Sequence, residues 1–250
     1  SHSALDDETF EKIKALRREL HKIPELSGQE RRTMEVLKTF LREHTSLSVT
    51  DRGGWFYALH QENGAEETVV FRADMDAIKG AGNIPYHGCG HDGHSAILAG
   101  LCLLTEGRVF QKNLCFLFQP AEETGEGGNP CSRLLEELGA DRVYGYHNLP
   151  GYPLGTAVMR RETFSCDTVN TPEITDMSRM LFEQEGIPCL EAAAPFRWSE
   201  DFGWYLKKCQ GMYFGIGAGE DCPDLHTPDY EFPVEVIRNA VRCLYLLAEI

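Results

Sequence analysis

Apolar residues recur at helical spacing over residues 10–20, a segment that stops before Pro24, and again through Met34, Leu37 and Leu41. The second run follows Ser27-Gly28-Gln29-Glu30, which has the spacing of a capping box. The period then changes. Residues 47–50 and 55–61 flank a Gly53-Gly54 turn, and residues 68–73 are rich in β-branched and aromatic side chains before the chain reaches Asp74-Met75-Asp76. From there helix and strand alternate. The pattern predicts a helix over 95–105, a strand over 114–118, a helix over 130–138 capped by Asn129 and stopped by Gly139, and a strand over 142–146. A further helix starts at Thr171-Pro172 and ends near Gly186, residues 212–217 read as a buried strand, and residues 233–250 form an amphipathic helix. This alternation is that of an α/β fold.

Composition narrows the function classes. With 250 residues, 42% hydrophobic and 25% charged, the chain can bury one large core or two modest ones and carries no signature of disorder. Its net charge of -15 argues against nucleic acid and against an anionic membrane, because a polyanion would be repelled. Nine cysteines, an odd number without close pairs, several of them within apolar stretches, fit reduced, cytoplasmic usage. The longest apolar run, 96–104, is far short of the roughly 20 residues of a membrane helix. No signal-peptide pattern opens the sequence, so a soluble, cytoplasmic protein is expected.

The polar motifs matter through their placement. Asp74, Glu122-Glu123 and His147 each fall just past the predicted end of a strand, where open α/β sheets carry their active sites. Cys89 and His91 stand two apart among Gly88, Gly90 and Gly93, a loop able to turn both side chains towards one ion. Alone, the pair reads as a buried thiol beside a solvent-facing histidine. Glu122-Glu123 reads as a solvated acidic turn unless cations offset the repulsion of adjacent carboxylates. His147 and His226, taken singly, read as core or loop histidines. Together Cys89, His91, Glu123, His147 and His226 offer the thiolate, imidazole and carboxylate ligands of zinc-like ions, with Glu122 free to act as a base. His94 is read as orienting a ligand. Asp74 and Asp76 are either outer acids of the same site or strand-end turn residues.

Taken in order, Leu20-His21-Lys22-Ile23-Pro24-Glu25-Leu26-Ser27, Phe71-Arg72-Ala73-Asp74-Met75-Asp76-Ala77, Cys89-Gly90-His91-Asp92-Gly93-His94, Gln119-Pro120-Ala121-Glu122-Glu123, residues 144–150, Ser199-Glu200-Asp201-Phe202 and Leu225-His226-Thr227-Pro228 resemble the aminoacylase and hippurate-hydrolase-like amidohydrolases. These belong to the dinuclear metallopeptidases. The resemblance implies a mixed, largely parallel sheet with helices on both faces. It implies two divalent metal ions held by Cys89, His91, Glu123, His147 and His226, with zinc favoured and manganese, cobalt or nickel admitted. It further implies Glu122 as general base in the hydrolysis of an N-acyl amino acid or small peptide.

One departure stands out. Family members insert a lid and dimerisation domain where this chain has only residues 160–170, so residues 1–250 are expected to form a single catalytic domain, monomeric and open. In the family the lid supplies side chains that bind the substrate carboxylate. The alternative to hydrolysis is therefore a metal- or ligand-binding homologue with little catalysis of its own, or one that borrows a lid from a partner. Arg197 is the only substitute carboxylate ligand the sequence suggests.

Overall fold

The computed structural model describes residues 2–250. Helices α1 (Asp7–His21) and α2 (Arg31–His44) precede strands β1 (Ser48–Asp51), β2 (Phe56–His60) and β3 (Thr68–Asp74). A small hairpin of β4 (Ile78–Lys79) and β5 (Pro85–Tyr86) leads into α3 (His91–Thr105), β6 (Asn113–Gln119), α4 (Gly128–Leu138) and β7 (Arg142–Leu149). There follow β8 (Ala157–Met159), the hairpin of β9 (Thr163–Ser165) and β10 (Thr168–Val169), α5 (Pro172–Gln184), β11 (Cys189–Glu191), α6 (Gly203–Leu206), β12 (Gln210–Gly217) and α7 (Val236–Ala248).

Eight strands form one sheet in the order β1-β2-β6-β3-β7-β12-β8-β11. Its centre, β6-β3-β7-β12, is parallel, and antiparallel pairs flank it on both sides. Period-2 alternation sorts the central strands into two layers. Phe71 and Ala73 of β3, Phe116 and Phe118 of β6, and Phe214 of β12 pack in one core with residues of α1, α2, α3, α5 and α7. Val70, Cys115, Leu117, Val143 and Tyr213 face the other way, against Leu134 and Leu135 of α4 and Tyr205 of α6. Helix α3 lies beneath the sheet with almost every residue buried, which accounts for an apolar run with no polar face.

Several predicted boundaries move, each for a tertiary reason. Ser27 does not cap α2; its hydroxyl donates to Asp76 Oδ2 at 2.7 Å, and Glu30 accepts from the Ala121 N–H at 2.7 Å. The first free N–H groups of α2, on Arg32 and Thr33, are instead accepted by Glu25. Partners across the fold thus replace the local box. Asn129 is not the cap of α4, which starts at Gly128 because the Asp201 carboxylate accepts the Gly128 N–H at 2.8 Å. Helix α3 begins at His91, four residues before Ser95, since Gly90, at φ 85°, turns the chain immediately ahead of it. A Cβ on Gly90 would lie 2.4 Å from Asn148 Nδ2. Strand β7 runs on to Leu149, held by parallel pairing that sets His147 opposite Gly215, so His147 lies within the strand and not past its end. Helix α7 starts at Val236, three residues after Pro233. Residues 160–170 hold the β9–β10 hairpin, anchored to β12 by Asn170, which accepts from the Tyr213 N–H at 2.7 Å. Among the described residues no helix is long and apolar enough to cross a membrane, and the cysteines are free.

Candidate metal centre

The strand ends β3, β6 and β7 and the start of α3 bring the polar motifs to one place. Cys89 Sγ lies 3.2 Å from His226 Nε2 and 3.5 Å from His147 Nε2. His91 Nε2 is 3.5 Å from both Glu122 Oε1 and Glu123 Oε1, and 3.3 Å from Asp74 Oδ2. All five candidate ligands and Glu122 therefore converge, although they come from four separate motifs. Ligand atoms of Cys89, His91 and His147 lie within 4.8 Å of one another, and so do those of Cys89, Glu123 and His226. Cys89 is common to both groups.

Surrounding groups fix the histidines. His91 Nδ1 faces Asp76 Oδ1 at 3.1 Å, which leaves Nε2 pointing at the carboxylates. Asp76 also accepts from the Glu123 N–H and the Ser27 hydroxyl, so one carboxylate positions two candidate ligands. His94 uses both nitrogens: Nε2 accepts from the Asn148 N–H at 3.0 Å, and Nδ1 therefore donates to Asp74 Oδ1 at 2.8 Å. It has no lone pair left for an ion and serves to orient its neighbours.

The backbone is shaped for the same purpose. Ala121 and His226 both have positive φ, 55° and 67°, which side chains other than glycine rarely adopt. Ala121 is held there by the Glu30 carboxylate on its N–H and by its own carbonyl, which accepts from Glu126 and Gly127. Burial pushes the Glu30 carboxyl up to about 7. The His226 N–H donates to the Gly88 carbonyl at 2.8 Å, tying the last motif to the cysteine loop. Strain held in place at a polar cluster is a mark of function.

Electrostatically the cluster is unbalanced without cations. Burial pushes the Glu122 carboxyl well above its ordinary value, with the Glu200 carboxylate adding to it, and burial raises Glu123 and the Cys89 thiol likewise. Burial works against charge on His91, but the Asp74 carboxylate and other neighbours outweigh it and hold its pKa well up. His91 Nε2, Glu123 Oε1 and Asp74 Oδ2 are buried yet make no hydrogen bond, although the nitrogen lies 3.3–3.5 Å from the two oxygens. Orphaned buried nitrogen and oxygen atoms beside a thiol shared by two histidines fit divalent cations, which would hold the thiolate and carboxylates ionised.

Several residues at the site carry no signal in ligand-type counting. Arg72 is fully buried below the cluster, donating to Gln119 at 2.7 Å, Asp201 at 2.7 Å and Glu200 at 3.1 Å. Asp92 joins α3 to α1 through Arg17 at 3.0 Å and His21 at 2.8 Å. The Asn148 amide donates to the Cys89 carbonyl at 3.0 Å and accepts from the Tyr230 hydroxyl at 2.6 Å. Asp92 and Asn148 lie within motifs of the sequence but carry no predicted role there, and Tyr230 lies outside every motif. Arg197 is exposed and lines neither cavity at the site.

This architecture is shared with solved peptidases and aminohydrolases. The YXEP protein of Bacillus subtilis, described as a dinuclear metal binding peptidase from the M20 family, superposes with a TM-score of 0.87 at 18% identity, over 97% of this chain and 98% of that one. A putative aminohydrolase from methicillin resistant Staphylococcus aureus gives 0.86 at 16% identity, over 97% of each. Residues 70–250 match the model of peptidase family M20/M25/M40, and the chain belongs to that family. N-acetyldiaminopimelate deacetylase of Priestia megaterium is 32% identical over 169 residues, 61% of this chain and 44% of that protein. The protein of the same name from Lactobacillus helveticus is 31% identical over 199 residues, 72% of this chain and 52% of that protein. The chain spans about half the length of these relatives.

Proposed function

We propose that this chain is a dinuclear metal-dependent amidohydrolase acting on an N-acyl amino acid or a small peptide. The observation that carries the reading is the pair of ligand groups joined at Cys89, with buried Glu122 beside them and not needed by either. The relatives named as deacetylases support the amide bond as target. Cys89, His91, Glu123, His147 and His226 would hold the ions, and the mixed donor set favours zinc while admitting manganese, cobalt or nickel. Bound there, two divalent ions would supply Lewis acidity to the amide carbonyl and stabilise its developing oxyanion.

The rest is work for the protein's own side chains. Glu122 takes a proton from the attacking water as its oxygen bonds to the carbonyl carbon, then passes that proton to the nitrogen as the C–N bond breaks. The products are a carboxylic acid and a free amine. Burial raises the Glu122 pKa, the direction that lets the carboxyl hold the proton between the two transfers. Asp76 and Asp74 keep the imidazoles of His91 and His94 in register.

We further read residues 1–250 as one catalytic domain, with the β9–β10 hairpin standing where the family's lid would be inserted. The reading includes an open, monomeric form and, from the free cysteines, a reducing cytoplasmic setting. The test is release of free amine from a panel of N-acyl amino acids and dipeptides by chelator-treated protein, before and after each metal is added back. Activity is expected only after add-back; absence of turnover with every metal would overturn the reading.

A further inference from the structure

The two groups of candidate ligands joined at Cys89 are built differently. Cys89, His91 and His147 are all buried, at the turn into α3, at its first residue and within β7. His226 is exposed and stands on the loop between β12 and α7. Over residues 220–229 that loop makes two hydrogen bonds to other parts of the chain, among the described residues, besides the contact of His226 with Cys89. The His226 N–H donates to the Gly88 carbonyl at 2.8 Å, and the Tyr86 hydroxyl donates to the Thr227 carbonyl at 3.3 Å. A cavity of about 490 Å³ lies alongside, with Ile84, Tyr86, His226 and Pro228 in its wall, so packing does not fix His226 from that side.

Tyr86 ends β5 and is seated between two glycines. Neither Gly80 nor Gly88 has a positive φ, so the backbone conformation does not call for glycine at either position. Space does. A Cβ at Gly80 would lie 2.8 Å from Tyr86 Cδ1, and one at Gly88 would lie 2.5 Å from Tyr86 Cζ and 2.6 Å from its hydroxyl oxygen. The Gly88 N–H also donates to the Tyr86 carbonyl at 2.9 Å. Gly88 directly precedes Cys89, and Thr227 directly follows His226. One ring therefore bears on the neighbour of Cys89 and, through its hydroxyl, on the neighbour of His226.

We propose that Tyr86 is a positioning residue that sets the place of His226 against Cys89, and thereby tunes the ion held by Cys89, Glu123 and His226 while leaving the other ion unaffected. The effect on an ion rests on the dinuclear reading above; the placing of the loop stands apart from it. Phenylalanine would fill the slot without reaching Thr227, and alanine in place of Gly88 would close the slot to the ring.

The first readout needs neither metal nor substrate. In metal-free protein, alkylation of Cys89 followed by peptide mass spectrometry reports opening of the loop over it, while the fully buried Cys102 of α3 reports general loosening. Tyr86→Phe is expected to raise the Cys89 rate at least about threefold, the scale of one lost hydrogen bond, with the Cys102 rate and the melting temperature unchanged. An unchanged Cys89 rate, or a parallel rise at Cys102, overturns the assignment. Gly88→Ala is expected to raise the Cys89 rate too, and to add less on top of Tyr86→Ala, where the obstructing ring is gone. Equal increments in the two backgrounds overturn the proposal. The second readout is chelator competition in zinc-loaded protein. In Tyr86→Phe one ion should bind at least about threefold more weakly and the other as before; equal weakening of both overturns the selective effect. An unsubstituted chain that takes up no zinc refutes the dinuclear reading and with it the tuning of an ion, whereas the labelling alone decides whether Tyr86 places the loop.

Discussion

Glu122→Gln is expected to lower kcat for amide hydrolysis by about 10²–10⁴-fold, the range that a positioned general base contributes, while metal content stays at the unsubstituted level. The substitution keeps the shape of the side chain and removes its ability to accept and return a proton. Glu122 sits 3.5 Å from His91 Nε2, close enough that its oxygens, with those of Glu123 and the His91 nitrogen, form a third potential ligand group. The experiment therefore separates two roles. A base loses rate and keeps the ions; a ligand loses ions. Measuring kcat and bound metal on the same preparation decides between them. A loss of rate below tenfold, or a parallel loss of metal, would remove Glu122 from its assigned role.

The second large effect concerns stability. Arg72→Met should destabilise the fold by about 3–5 kcal/mol, the cost typical of removing one partner from a buried ion network. Arg72 is completely buried and faces Asp201, Glu200 and, at 3.6 Å, Asp74. Burial alone would discourage its charge, but those carboxylates outweigh it and keep the guanidinium protonated. Without Arg72 they are left uncompensated in the core. Thermal melting should then fall by about 6–20 °C, taking 2–4 °C per kcal/mol for a domain of this size. Adding Glu200→Gln and Asp201→Asn to Arg72→Met should recover part of the loss, because the stranded charges disappear with their partner. A melting point within about 2 °C of the unsubstituted chain would show that the network carries little stability.

The network also marks the limits of sequence reading. Arg72, Gln119, Glu200 and Asp201 come from three stretches more than forty residues apart, and only the parallel register of β3 and β6 brings the first two together. No spacing along the chain encodes that. The α/β alternation, by contrast, was legible because burial on both faces forces apolar runs in β3, β6 and β7. The hairpin strands β9 and β10 and the short β11 escaped, being three residues or fewer, where periodicity has nothing to act on. At the site, residue type and flanking glycine or proline marked the candidate ligands and Glu122. The groups that hold them did not stand out, because Glu30, Asn148 and Tyr230 act through hydrogen bonds to backbone or amide groups that other polar residues could make. The capping box at Ser27 misled for the same reason: Ser27 and Glu30 have the right spacing for a local cap but serve the loops after β3 and β6.

The most direct measurement is elemental analysis of the purified chain beside Glu123→Ala. About two divalent ions per chain are expected, falling in the substituted protein because Glu123 belongs to one of the two groups joined at Cys89. No bound metal after add-back, or the same content in both proteins, would contradict a dinuclear centre built from these residues.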